Sequence, residues 1–175
     1  MSAMLRLILL LAGSTLSLPL FASGIRAAGS IPWMHADPAA KSVEFDITMG
    51  ASGEDSGLNF NGYSHGHMTI TVPLGWTVSM KVVNKDSLPH SLEIASAQIT
   101  PPSDSVATAF PRAETIDLKT GMPPNEGDSL SFTANKVGRY WMMCAVPGHA
   151  AGGMWDWLVV SETAAAPEVT FSTDH

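Results

Sequence analysis

The stretch from Trp76 to Asn84, WTVSMKVVN, sets Trp76, Val78, Met80 and Val82 on one face of an extended chain and Thr77, Ser79 and Lys81 on the other. That two-residue period is the mark of a β-strand with one dry face and one wetter one. Working outward, the same character recurs in Val43–Met49, Met68–Val72, Ser91–Ala95, Ser129–Ala134, Arg139–Cys144 and Trp155–Val160, each rich in Val, Ile, Thr, Phe or Trp and separated by Gly, Pro, Asn and Asp. No long stripe of helical period competes with them. Seven or eight short strands at this spacing predict an all-β domain, a two-sheet sandwich or a barrel.

Between the fourth and fifth of these segments in chain order, Gln98–Gly127 carries Pro101, Pro102, Pro111, Pro123 and Pro124. Those prolines exclude a central strand or an unbroken helix. The span reads as a long crossover with one short helix near Ser103–Phe110. At the N-terminus, Arg6 precedes an apolar run from Leu7 to Phe21 and then small residues. This is the pattern of a secretory signal over residues 1–24, and an uncleaved membrane anchor is the competing reading. Residues 25–42 read as an extension laid over the domain, 43–161 as the domain itself and 162–175 as a fraying tail.

The whole chain has 175 residues, 45% hydrophobic and only 14% charged, which suits one compact domain and not a disordered polymer. Its formal net charge is -7 and no basic run occurs, so nucleic acid is a poor partner. Cys144 is the only cysteine, and no disulfide can form within the chain. A lone thiol in an exported protein calls for protection, which either metal ligation or inert burial provides.

The segment GRYWMMCAVPGHAAGGM, Gly138–Met154, decides between those two. It spaces Cys144, His149 and Met154 evenly across the end of a strand and a Gly/Pro-rich loop, so that thiolate, imidazole and thioether can converge. A second imidazole comes from His90, which opens the strand after Pro89, if a hairpin from Trp76 to Ala95 lies beside the Cys144 strand. Two imidazoles, a thiolate and a weak axial thioether form a trigonal blue-copper site. Zinc gains nothing from the methionine, and the cysteine count excludes iron–sulfur clusters and c-type haem.

The Cys-x4-His-x4-Met spacing, the Gly-x-Tyr-x-x-x-Cys strand before it and the upstream histidine resemble those of the cupredoxins. The words FNGYSHGHMTITVPLGW, LPHSLEI and CAVPGHAAGGMW, within Asn59–Val160, are similar to sulfocyanins in particular. The resemblance implies a Greek-key sandwich with His90, Cys144, His149 and Met154 as ligands of one type 1 copper. It further implies a monomer that passes single electrons between larger redox proteins, such as a c-type cytochrome and a membrane oxidase, and no enzymatic turnover.

Ser91 stands where rusticyanin-like cupredoxins carry a serine that braces the ligand loop. Trp141, Met142, Met143, Val146, Trp155 and Trp157 supply apolar bulk that disfavours the more highly charged cupric state and predicts a relatively high reduction potential. Pro147, Gly148, Ala150, Ala151, Gly152 and Gly153 offer a small, uncharged face around His149 where a partner can dock briefly. Two other classes compete with the carrier. A copper carrier or store would cluster its methionines, whereas Met34, Met49, Met68 and Met122 are scattered; a nitrite reductase would need further histidines and usually another domain. His65 and His67 form a His-x-His pair with no obvious third ligand and read as exposed loop residues rather than a second metal site.

Overall fold

The computed structural model describes residues 31–172. The expected leader, 1–24, lies outside the described residues. Among the described residues nine strands form two sheets: β1 (Met34–Asp37), β2 (Ser42–Met49), β3 (Met68–Pro73), β4 (Thr77–Asn84), β5 (Glu93–Ser96), β6 (Gly127–Thr133), β7 (Gly138–Met143), β8 (Trp155–Ser161) and β9 (Glu168–Phe171). One sheet has the order β1-β2-β4-β6 and the other β5-β7-β8-β3-β9. The pairs β2/β4 and β3/β8 are parallel and the rest antiparallel. This all-β arrangement is a Greek-key sandwich, as the strand pattern and the resemblance together predict.

Alternation along the strands builds the core. On β4 the side chains of Val78, Met80 and Val82 are buried with Phe45 and Ile47 of β2 and Leu130 and Phe132 of β6, and they face Ile70, Val72, Tyr140, Met142, Leu158 and Val160 from the other sheet. The opposite edge of the alternation is used as well. Trp141 and Met143 of β7 point away from the main core and form a second apolar cluster with Ala95, Ala145 and Ala150, against which Trp155 and Trp157 pack. Trp141 stacks on Trp157 at 4.1 Å between ring centroids and meets Trp155 edge-on at 4.7 Å. The Arg139 guanidinium caps Trp157 at 3.4 Å from its ring centre, a cation–π contact that covers an otherwise apolar rim.

Four local expectations are corrected. Trp76–Ala95 is not a hairpin: β4 lies in the first sheet and β5 in the second, where β5 pairs directly with β7. The chain crosses from one sheet to the other at Lys85–Leu92 and brings His90 with it. No helix forms at Ser103–Phe110, because this backbone bonds sideways to β5: the Ala109 N–H donates to the Ile94 carbonyl, and Thr108 bridges Ala95. Among the described residues the one helical segment is a 3₁₀ turn at Ala51–Gly57, between β2 and β3. The stretch read as a fraying tail supplies β9, which pairs with β3 from Met68↔Phe171 to Thr71↔Glu168, and the stretch read as an overlaid extension supplies β1. Both are short edge strands whose register depends on a distant partner, so local pattern carries little trace of them.

Candidate metal centre

β7 ends at Met143, and the chain turns through Cys144–Met154 into β8. The turn is closed by its own backbone. Cys144 N–H donates to the Met154 carbonyl (3.0 Å), Met154 N–H to the His149 carbonyl (3.0 Å) and His149 N–H to the Val146 carbonyl (3.0 Å). Gly148 and Gly153 adopt φ of +86° and +114°, which the curled loop requires and which L side chains rarely take. Cys144 and Met154 are thereby held at the neck of the loop with both side chains buried in the main core.

His90 arrives from the other side. Its backbone is clamped to the crossover by two bonds, His90 N–H to the Met122 carbonyl and Met122 N–H to the His90 carbonyl (3.2 and 2.7 Å). The result is a convergence of three donor atoms. Cys144 Sγ lies 4.0 Å from His90 Nδ1 and 3.5 Å from His149 Nδ1, and the two Nδ1 atoms are 3.2 Å apart. The point equidistant from all three is about 2.1 Å from each, close to the ~2.0 Å of metal–imidazole and ~2.3 Å of metal–thiolate bonds. Among the described residues this is the one group of three or more His, Cys, Asp or Glu that could hold a metal ion. A thiolate with two imidazoles is too soft for magnesium or calcium and suits copper.

His90 is fully buried, whereas His149 is half-buried and opens toward the surface. Burial pushes the Cys144 thiol up, against hydrogen bonds from Ser91 and Val146, so ion binding must displace a proton. Burial, with His90 beside it, pushes the His149 imidazole down, which keeps its nitrogen lone pair available.

Ser91 is braced in several directions. Its N–H donates to Cys144 Sγ (3.4 Å), its hydroxyl donates to the Leu118 carbonyl (2.8 Å), and the same oxygen accepts from Ala145 N–H (3.1 Å). Val146 packs on the main core, while Trp141, Met143, Trp155 and Trp157 sit on the opposite face of the sheet from Cys144. The small-residue face is smaller than its sequence suggests. Ala151 and Gly152 are exposed, but Ala150 is 1% exposed and belongs to the tryptophan cluster.

His65 lies against the loop that carries Met154: its N–H donates to the Gly153 carbonyl, and a Cβ on Gly153 would strike its ring. The His65 and His67 rings are 6.3 Å apart. The sequence reading missed Asp86, whose Oδ2 is 2.8 Å from His90 Nε2. The signal that could have found it is the acid four residues ahead of a candidate ligand, in the link between two strands.

The sandwich and its buried thiolate–imidazole cluster define a cupredoxin, a protein that holds one copper ion and carries electrons rather than turning over a substrate. A sulfocyanin domain model matches residues 30–171. Sulfocyanin from Sulfolobus acidocaldarius is 34% identical over 134 residues, which cover 73% of this chain and 67% of that protein. The chain belongs to the sulfocyanin family. Among solved structures, dithionite-reduced auracyanin from Roseiflexus castenholzii superposes with a TM-score of 0.50 and 23% identity over 67% of this chain and 96% of that one. A rusticyanin variant does so with a TM-score of 0.51 and 22% identity, over 73% and 80% respectively. Both share the fold.

Proposed function

We propose that this protein carries single electrons in a respiratory chain outside the cytoplasm, through one type 1 copper ion held by His90, Cys144, His149 and Met154. The observation that carries the ligand set is the convergence of Cys144 Sγ and the two Nδ1 atoms. Met154 joins them by its place at the closed neck of the loop and its full burial. Copper supplies a cuprous/cupric couple, and thiolate, thioether and imidazole together suit both states.

The chain's own part is to position and to insulate. The backbone bonds at Cys144, Met154 and His90 fix the donors before any ion binds, so little rearrangement accompanies a change of oxidation state. The main core and the tryptophan cluster exclude water from both faces of the ligand strand. Half-buried His149, beside exposed Pro147, Gly148 and Ala151, provides the route by which a transient partner such as a c-type cytochrome or a membrane oxidase reaches the site.

An extracytoplasmic location, with a cleaved or retained leader, rests on the apolar run of residues 7–21. Among the described residues no helix is long and apolar enough to cross a membrane. The deciding experiment is the absorption spectrum after cupric reconstitution. An intense blue thiolate-to-copper band that disappears in Cys144→Ser supports the site. A colourless, redox-silent product would end the proposal, and rapid loss of cuprous ion to a weak chelator would favour a copper carrier instead.

A further inference from the structure

We infer that Asp86 is a positioning residue of the metal centre: its carboxylate accepts a hydrogen bond from His90 Nε2–H, fixes the tautomer that turns Nδ1 toward the ion, and favours the cupric state. The inference rests on the ligand assignment above.

The geometry is specific. Asp86 Oδ2 lies 2.8 Å from His90 Nε2, on the side of the ring opposite the Nδ1 that faces Cys144 and His149. A ring nitrogen that donates there leaves its partner nitrogen as a lone-pair ligand, so this one bond selects the competent tautomer. The His90 side chain is wholly buried and that of Asp86 only 16% exposed, so the contact is weakly screened.

The carboxylate is itself held. Asp86 N–H donates to Asn84 Oδ1 (2.9 Å), and Asp86 Oδ1 accepts from Ser87 N–H (2.6 Å). Asn84 in turn donates through Nδ2 to the carbonyls of Leu88 (2.7 Å) and Met122 (2.8 Å), the latter residue being the one that clamps the His90 backbone.

The 3₁₀ segment gains a role in the same assembly. Gly50 precedes it and Gly57 ends it, with φ of +70° and +87°, and a Cβ at either would collide with the Asp86 side chain. Backbone without side chains is what allows the Ala51–Gly57 turn to close over this carboxylate. One chain segment therefore presents the ligand, a second clamps its backbone, and a third covers the acid that orients its ring.

A fixed negative charge beside the ligand imidazole stabilises the more positive oxidation state. It acts against the apolar shell, which favours the cuprous one. Asp86 thus sets the potential below what the apolar surroundings alone would give.

The test compares Asp86→Asn and Asp86→Ala with wild type by potentiometry, absorption spectroscopy and 15N NMR of the imidazoles in the cuprous protein. In Asp86→Asn the preference for cupric over cuprous ion should fall about tenfold, an upward shift of ~59 mV for one electron, with the blue band retained. Asp86→Ala should also raise the potential, and the His90 Nε2–H should exchange faster with solvent. A purely structural aspartate would lower stability without moving the potential.

Potentials within about twofold of the wild-type cupric/cuprous ratio in both variants, with an intact blue band, would overturn this inference and leave the ligand set standing. If neither variant folds, wild type decides: a slowly exchanging proton on His90 Nε2 supports the inference, and a proton on Nδ1 in the copper-free protein refutes it. A wild type that gives no blue band removes the ligand set itself.

Discussion

Replacing Ser91 by alanine separates a brace from a tuner. The hydroxyl is fully buried and makes two bonds, one donated to the Leu118 carbonyl and one accepted from Ala145 N–H. Alanine removes both. The Ala145 N–H then lies in a dry cluster with no acceptor in place of the hydroxyl, a cost of ~1–3 kcal/mol. Leu118 is half-buried, so water can reach its side of the crossover and the second bond costs less, ~0.5–1 kcal/mol. Together the variant should lose about 2–3 kcal/mol, which for a chain of this size lowers Tm by roughly 5–10 °C.

The copper potential should scarcely move. The contact that reaches the sulfur most closely is the Ser91 backbone N–H at 3.4 Å, which alanine keeps; the hydroxyl is 3.8 Å away and bonded elsewhere. Thermal unfolding of the copper-free protein and potentiometry of the loaded one read the two effects separately. A Tm within about 1 °C of wild type would refute the bracing argument. A tenfold change in the cupric/cuprous ratio at unchanged stability would mean that the hydroxyl acts on the sulfur directly.

The loop around His149 gives a paired prediction. Ala151→Asp, on the exposed side, should slow electron self-exchange, read by NMR line broadening, and leave the absorption spectrum unchanged; Ala150→Asp, 1% exposed within the tryptophan cluster, should instead destabilise the fold by more than ~3 kcal/mol. Phe110 pins the proline-rich crossover by stacking on Phe132 at 4.9 Å and tilting against Tyr140 at 4.8 Å, so Phe110→Ala should cost ~3–5 kcal/mol by urea unfolding. Asp156 is fully buried, with Oδ1 accepting from Met68 N–H, and burial pushes its carboxyl up to about 8. The folded chain therefore retains a proton that the unfolded chain loses above the ordinary carboxylate range, and this residue's contribution falls as pH rises from there through about 8. Asp156→Asn should gain on wild type across that window, measured as urea midpoints of the copper-free proteins. A constant difference between the two would contradict the assignment. Burial shifts the Glu93 carboxyl in the same direction, so Glu93→Gln should show the same sign.

The proposed donors stand out in the sequence because three of them fall in one short loop. Cys144, His149 and Met154 are spaced by a turn whose closure is local, and the thiolate–imidazole–thioether chemistry is written in the residue types. Strand alternation likewise announced β2 to β8 to within a few residues, because burial of one face imposes a period of two wherever a strand forms. Ser91 was found by its place beside a candidate ligand, although its partners, Leu118 and Ala145, were not.

The amino-acid sequence by itself determined the fold class, the donor types of the proposed site and the apolar character of the strands around it. Tertiary structure decided which sheet each strand joined, that His90 reaches Cys144 by crossing between sheets and not by folding back in a hairpin, and that Ala150 turns inward while Ala151 turns out. It also decided that Asp86 meets the imidazole of His90 beneath the turn at Ala51–Gly57, and that β1 and β9 complete the sheet edges. The physical reason is common to all of these. Periodicity and loop spacing are fixed by neighbours along the chain, whereas register, sheet order and the pairing of buried polar groups are settled by contacts between residues far apart in it.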